Sequence, residues 1–345
     1  MTLPARVGPL GLGCAPFGNL YREITDEQAA ETFRTAWDLG VRLFDVAPHY
    51  GLGLAERRLG RLLTGVPRAD VIVSTKVGRL LEPYPDGRAR PDAEGFAVRS
   101  PLRRVRDYSA DGVRRSVESS LDRLGLDRLD IALVHDPDEH VEQALTGALP
   151  ALAQLRAEGV VGAIGVGMNQ VAGPERFVRE SDVDVLLVAG RWTLLDRSAG
   201  ATLFPLCQQR GVSVLLGGVL NSGLLGQDHP DGSATYDYRP AARSVLERAA
   251  AFAAASRRHG LPLARAATAF AARHPAVTSV LIGARTPDEV RAAHTALTEP
   301  IPARILDDIA AARPADPAAA RPGDQAGPRP GDSAADDRAA ARPDD

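Results

Sequence analysis

The sequence is short of several things, and each shortage excludes something. Of its 345 residues only one, Lys76, is a lysine; all other basic side chains among the 41 are arginine. The two cysteines, Cys14 and Cys207, fall in no CxxC or Cys/His ligand spacing. That excludes a disulfide framework and argues against a structural metal site and for a reducing compartment. No apolar run reaches the roughly 18 residues needed to span a bilayer, and the opening MTLPARVGPLGLG lacks a signal-peptide core, so no membrane partner and a cytoplasmic location are expected. The net charge of −3 comes without a basic stripe interleaved with aromatics, which argues against nucleic acid. A GxGxxG fingerprint opening a helix is also missing, which weakens a doubly wound dinucleotide-binding sheet.

What is present is a regular alternation. Short apolar runs lie at 10–14, 42–47, 71–76, 130–135, 162–167, 184–189, 212–218 and 278–284, and segments of helical period separate them. In DEQAAETFRTAWDLG, for example, Ala30, Phe33, Ala36 and Trp37 share one helical face. Eight near-continuous Val/Ile/Leu strands alternating with helices predict a closed (β/α)8 barrel, a TIM barrel, as a single domain over 1–312, and a hydrophobic content of 44% supplies its core. Residues 77–109, rich in Pro, Arg, Gly and Asp, read as an irregular inserted loop over one end of the fold. The helix around 143–157 is expected to be interrupted near Pro150. Residues 313–345 repeat Ala, Pro, Arg, Asp and Gly with no large apolar side chain, and read as a disordered tail.

In such a barrel, chemistry collects at the C-terminal ends of the strands. Asp45 ends the second strand, Lys76 the third and His135 the fourth, while Tyr50 lies on the loop leaving the second. Singly, Asp45 has an ordinary reading as a helix cap, His135 as a core histidine and Tyr50 as a packed aromatic, and a lone lysine as an accident of codon usage. Together they place an acid, an ammonium, an imidazole and a phenol on one rim, a set suited to moving a proton to or from an oxygen on carbon. Acid/base work by tyrosine near neutrality asks for its pKa, near 10 when free, to fall by about 3 units, roughly 4 kcal/mol. Lys76 is expected to lower it by Coulomb attraction while Asp45 keeps the lysine charged. A lysine at a barrel strand end also suits a Schiff-base lyase, but that role needs a neutral amine, which Asp45 opposes.

The stretches GLGCAPFGN, FDVAPHYGLGLAERRLG, VSTKVG, LVHDPD, VAGRWTLLD, LLGGVLNSGLL and IGARTPDEV closely resemble the aldo-keto reductases, in the branch of D-threo-aldose 1-dehydrogenases. The resemblance runs from about Leu10 to Leu297. It implies a (β/α)8 barrel using NAD or NADP, with catalytic Asp45, Tyr50, Lys76 and His135, and oxidation of the anomeric hydroxyl of an aldose to the lactone by hydride transfer. Another aldehyde, ketone or alcohol, such as a pyridoxal-type compound, is the alternative substrate, and a nicotinamide-sensing subunit the alternative role. On the cofactor side it implies Gly13, Asn169 at the carboxamide, Trp192 stacked on the nicotinamide, Leu220, Asn221 and Gly223 over the pyrophosphate, and Gly283, Arg285 and Glu289 at the adenosine end. Met168 and Ala189 stand where the family carries a hydroxyl and a glutamine, and Ala293 where it carries an adenine-contacting asparagine. Glu289 favours NAD by repelling a 2′-phosphate, although Thr286-Pro287-Asp288-Glu289 also reads as a helix cap. His49, Trp192 and Tyr108 are candidate substrate contacts, with Arg191 and Asp136 as further polar candidates. No metal site is expected, and oligomeric state is not readable.

Overall fold

The computed structural model describes residues 7–230, 234–237 and 239–314. The tail expected over 313–345 lies, beyond its first two residues, outside the described residues. Eight parallel strands close into a barrel: β1 (Leu10–Gly13), β2 (Leu43–Asp45), β3 (Ile72–Val77), β4 (Leu129–His135), β5 (Val161–Met168), β6 (Val185–Ala189), β7 (Ser213–Gly217) and β8 (Val277–Gly283). Each pairs with its sequence neighbours, and β8 closes on β1 in the register Leu10 to Val280 through Gly13 to Gly283. Each of the eight apolar runs became one strand.

Helices α1 (Asp26–Asp38), α2 (Leu54–Leu63), α3 (Ala110–Leu124), α4 (Leu149–Ala157), α5 (Ala172–Glu180), α6 (Leu203–Arg210), α7 (Arg243–Arg258), α8 (Leu263–Ala272), α9 (Pro287–Thr298) and α10 (Ala303–Ala311) accompany the strands. Their starts follow local chemistry. Thr25 and Gln28 form a reciprocal capping box at α1, and Thr286 caps α9, which has proline in its first turn. The helix around 143–157 is not interrupted but distorted: helical backbone runs on through a wide π turn over Ala144–Ala148 directly into α4, and Pro150, with no N–H, gives no bond to that preceding turn.

Strand alternation sorts the side chains. Leu43, Ile72, Ile131, Leu133, Ala163, Val185, Leu187, Leu215 and Leu281 form one buried cluster inside the barrel, while Phe44, Val73, Ala132 and Val134 belong to the larger cluster under the helices. By the same period of two, Asp45, Lys76 and His135 carry the inward parity at the ends of their strands, and Thr75 the outward one.

Residues 77–109 depart from the expected irregular loop. Arg79–Pro83 pairs antiparallel with Leu102–Arg106, and beyond them two residues, Arg90–Pro91, pair with Arg99–Ser100. The sequence masks this hairpin because arginines occupy both faces of its strands. Its tip crosses to the loop after β1, where Leu20 bridges Phe96, Tyr21 N–H donates to Gly95 O (2.8 Å) and Ala97 N–H to Asn19 O (2.8 Å). The excursion therefore does lie over the C-terminal end of the barrel. Among the described residues no helix is long and apolar enough to cross a membrane.

Candidate active site

Lys76 is 2% exposed, and its Nζ donates to Asp45 Oδ2 (2.7 Å) and to Val46 O (3.0 Å). The other Asp45 oxygen accepts from Ser74 Oγ (2.8 Å), one pleat back on the same strand as Lys76. Burial alone would lower the pKa of the ammonium, but the attraction of Asp45 and then of Tyr50 outweighs it, and the pKa is raised. Lys76 is thus a fixed positive charge. Its nitrogen sits 4.8 Å from the Tyr50 ring centroid, close enough for the two groups to act on each other electrostatically.

The backbone around Tyr50 is set by a close approach of two glycines. Gly51 has φ +62°, and a Cβ on it would lie 2.3 Å from Gly18 O, so both the loop after β1 and the Tyr50 turn need glycine there. Tyr50 differs from expectation in one respect: burial raises its pKa by more than Lys76 lowers it, so in this structure the phenol is held protonated above its ordinary value.

His135 is 7% exposed, and burial followed by the nearby Arg79 and Lys76 charges holds it neutral, well below the usual histidine range. Its Nδ1 is buried without a hydrogen-bond partner among the described residues, and its Nε2 lies 3.5 Å from Asp136 Oδ2. The ring stands edge-on to Tyr50, with centroids 6.1 Å apart. Asp45, Tyr50, Lys76 and His135 therefore converge on one rim.

His49 meets the same group, edge-on to both Tyr50 and His135, and burial beside Arg79 pushes its pKa down to about 2. The hairpin contributes side chains that carry no periodic signal in the sequence. Phe96 stacks on Tyr50 at 6.0 Å and meets His49 edge-on at 5.2 Å. Arg79 donates to Asp136 Oδ2 (2.7 Å) and approaches His49 Nδ1 (3.3 Å), while Arg104 donates to His49 O (2.8 Å) and pairs with Asp92. Tyr108 stands behind this wall. It is fully buried, its hydroxyl donates to the carbonyls of His135 (2.8 Å) and Asp136 (2.9 Å), and its ring fills the space where Gly78, at φ +97°, lacks a Cβ. As a candidate substrate contact it is corrected: it shapes the turn after β4 and offers no surface to a ligand.

The remaining candidates lie at the ends of β1 and β8 and in the loops that follow β5, β6 and β7. Gly13 and Gly283 are paired across β1 and β8. Asn169 gives its carbonyl to Arg191 Nε (2.5 Å), and Arg191 is held by Asp196 and Asp237, both at 2.8 Å, so it is a brace more than a free contact. Trp192 packs its ring on Phe270, Phe204 and His274 and fills the space beside Gly200, while its Nε1 is buried without a partner. One ring face is thereby already covered by Phe270. After β7, Leu220 joins the core, Asn221 and Ser222 take positive φ, and Gly223 has φ +91°. Asn221 is 3% exposed, and neither amide atom has a hydrogen-bond partner among the described residues. A buried amide without partners costs about 1–3 kcal/mol, and a loop that holds one fits a polar ligand such as a dinucleotide. At the far end Glu289 Oε2 accepts from the Arg285 N–H (2.6 Å) and Glu289 N–H donates to Thr286 Oγ1 (3.3 Å), so this carboxylate does cap its own helix; the Arg285 guanidinium donates to Leu20 O (3.1 Å).

With the geometry set out, likeness to other proteins can be weighed. The sequence profile described as the aldo/keto reductase family matches residues 9–313. The chain is 42% identical over 318 residues to a D-threo-aldose 1-dehydrogenase of a Pseudomonas species, covering 91% of this chain and 95% of that one. It is 39% identical to a pyridoxal 4-dehydrogenase of Microbacterium luteolum, over 83% and 88% of the two chains. Among solved structures, the holo form of an aldo-keto reductase from Bacillus halodurans superposes with a TM-score of 0.69 at 26% identity, covering 90% of this chain and 94% of that one. The protein belongs to the aldo/keto reductase family and is an oxidoreductase.

Proposed function

We propose that the protein is an NAD(P)-dependent aldose 1-dehydrogenase that oxidises the anomeric hydroxyl of a D-threo-aldose or L-fucose type sugar to the lactone. The observation that carries the reading is Lys76, clamped by Asp45 with its ammonium 4.8 Å from the Tyr50 ring centroid, beside a neutral His135. Its 42% identity to a D-threo-aldose 1-dehydrogenase supports the substrate class. The buried Asn221 amide, without a hydrogen-bond partner among the described residues, the side chain of Asn169, the Trp192 ring, the glycines Gly13, Gly223 and Gly283, and Leu220 would hold the nicotinamide cofactor. When bound, that cofactor exchanges hydride with the substrate carbon.

This chain's own residues handle the proton. In reduction Tyr50, kept protonated by its burial, donates to the forming hydroxyl and is left as phenolate; oxidation starts from that phenolate, which the Lys76 ammonium stabilises, and returns it to the phenol as it accepts the substrate's hydroxyl proton. His135 is neutral, so it keeps one ring N–H to orient the reacting oxygen and stores no proton. A Schiff-base role for Lys76 is opposed by the raised pKa of its amine.

NAD is proposed over NADP, because the Glu289 carboxylate, though engaged as a cap, still places negative charge beside Arg285, whose guanidinium is turned to a backbone carbonyl. A second reading, oxidation of a pyridoxal-type aldehyde or hemiacetal, is favoured by the 39% identity to a pyridoxal 4-dehydrogenase. Absorbance of reduced nicotinamide, followed with NAD or NADP against L-fucose, other aldoses, pyridoxal and simple aldehydes, separates these readings. Turnover of pyridoxal without any aldose would replace the first reading by the second, and turnover of neither would remove both.

A further inference from the structure

Next to His135 the chain does something a loop residue rarely does without reason. Asp136 adopts φ +42°, a left-handed conformation that costs a non-glycine residue about 1 kcal/mol or more. Three contacts enforce it: the Asp136 N–H donates to Gly167 O (3.0 Å), Tyr108 hydroxyl donates to the Asp136 carbonyl (2.9 Å), and Arg79 Nη2 donates to Oδ2 (2.7 Å). The effect is to hold one carboxylate at the rim with Oδ2 between Arg79 and His135 Nε2, the latter 3.5 Å away.

The other oxygen, Oδ1, has no hydrogen-bond partner among the described residues, although the side chain is only 29% exposed. Burial raises the pKa of this carboxyl, with Arg79 opposing, so desolvation is felt and not relieved by water alone. A half-buried carboxylate with one oxygen pinned and one open, 3.5 Å from the imidazole, is an acceptor placed for a donor on the ligand. The neighbouring cations do not compete for it. Lys76 is paired with Asp45, Arg104 with Asp92, and Arg106 is exposed on the outer strand of the hairpin.

We propose that Asp136, fixed by Arg79 and Tyr108, is a specificity-determining residue: its Oδ1 accepts a hydrogen bond from a substrate hydroxyl on a carbon other than the reacting one. The ligand it selects is a neutral polyhydroxylated compound, as against a plain aldehyde or ketone. This inference rests on the aldose reading above for the identity of the polyol, and the test is arranged so that the two can fail separately.

The test uses the full chain with nicotinamide cofactor present. An aldose and its analogues deoxygenated at one ring carbon at a time are titrated calorimetrically, and kcat/KM is measured where turnover occurs. Wild type is expected to prefer the parent sugar over one particular deoxy analogue by about 10- to 100-fold, the worth of one charge-assisted hydrogen bond. Asp136→Gly suits the left-handed backbone while removing the acceptor, and is expected to close that gap to within about 2-fold. Asp136→Asn also tolerates the conformation and keeps an acceptor oxygen, so it should retain part of the preference. If Asp136→Gly weakened parent and deoxy sugars equally, its role would be structural and the proposal would be overturned; a wild type indifferent to every deoxygenation would overturn it too. Discrimination in binding without nicotinamide reduction by any aldose would remove the dehydrogenase reading and leave Asp136 as assigned.

Discussion

Two ion pairs, each with a buried carboxylate, flank strand β3 on opposite faces at adjacent residues. Inward, Lys76 meets Asp45 at 2.7 Å; outward, Thr75 Oγ1 donates to Glu56 Oε1 at 2.8 Å, and Arg123 Nε donates to Glu56 Oε2 at 2.6 Å. Glu56 is fully buried and Asp45 3% exposed, so desolvation is severe at both. They differ in what is left over. The arginine pair is closed on itself, with Thr75 taking the second carboxylate lead and Ser120 accepting from Arg123 (3.1 Å). The lysine pair has the Tyr50 ring beside it, its centroid 4.8 Å from the ammonium, and next to that an imidazole nitrogen with no hydrogen-bond partner among the described residues. A guanidinium serves where a charge must only be satisfied, and the one ammonium stands where a neighbour's proton must move.

The largest effects should come from the inner face. Tyr50→Phe keeps the ring packing against Phe96 and removes the proton-carrying atom, and is expected to lower kcat by about 10²- to 10⁴-fold with cofactor affinity unchanged. Full activity in this variant on a substrate that wild type turns over would end the proton-transfer account. Lys76→Arg keeps a charge beside Asp45 but not a compact ammonium under the phenol, so a drop of similar order is expected there. An arginine that restored the rate would abolish the distinction between the two faces.

Next come the paired removals. Lys76→Met or Glu56→Gln alone leaves a buried charge without its partner, at about 3–5 kcal/mol of stability by chemical denaturation. Removing both members should recover most of that loss on either face, since a neutral pair avoids desolvation. Here the faces are expected to part: Asp45→Asn with Lys76→Met folds but does not turn over, whereas Glu56→Gln with Arg123→Met folds and keeps kcat within about 3-fold. Loss of turnover in the outer double variant would show that Glu56 and Arg123 do more than support the strand.

Legibility in the sequence divided along the same line between regular and irregular chain. The eight apolar runs gave the barrel because each strand is buried on both faces, so hydrophobicity had no polar phase to interrupt it. Asp45, Lys76 and His135 were visible because each is an ionisable residue ending such a run, and the period of two then fixed their inward direction. The hairpin at 79–106 was not, because its pairing is antiparallel between strands whose exposed positions are arginines, and nothing in Arg79 or Arg104 distinguishes them from other surface cations. With the hairpin went Phe96, the wall of the Tyr50 pocket, and the ion pair at Asp136. The Tyr50 pKa was misjudged for a related reason: the sequence shows that Lys76 is near, but not how much water the phenol loses.

The smallest expected effect concerns pH, and it also separates the two faces. On the inner side His49 is held down to about 2 by burial and by Arg79, and His135 is likewise held neutral; near Glu56 and Arg123 no histidine contributes. A histidine whose pKa is depressed in the fold stays unprotonated while the unfolded chain, near 6.5, takes up a proton. The unfolded state then binds more protons, so stability is constant above about 6.5 and is lost as pH falls through that value, with a limiting slope near 1.4 kcal/mol per unit for each such histidine. His49→Gln retains a polar side chain between Arg79 and Phe96 and removes one of the two protons. Denaturation midpoints measured at about pH 6 and pH 5 should therefore show roughly 1 kcal/mol less acid destabilisation in this variant than in wild type, whereas the Glu56→Gln, Arg123→Met double variant should lose stability with wild-type steepness. An unchanged slope in His49→Gln would mean that water or a counter-charge reaches the imidazole. The inner rim would then be no drier than the outer one, and the neutral state assigned to His135 would lose its physical basis.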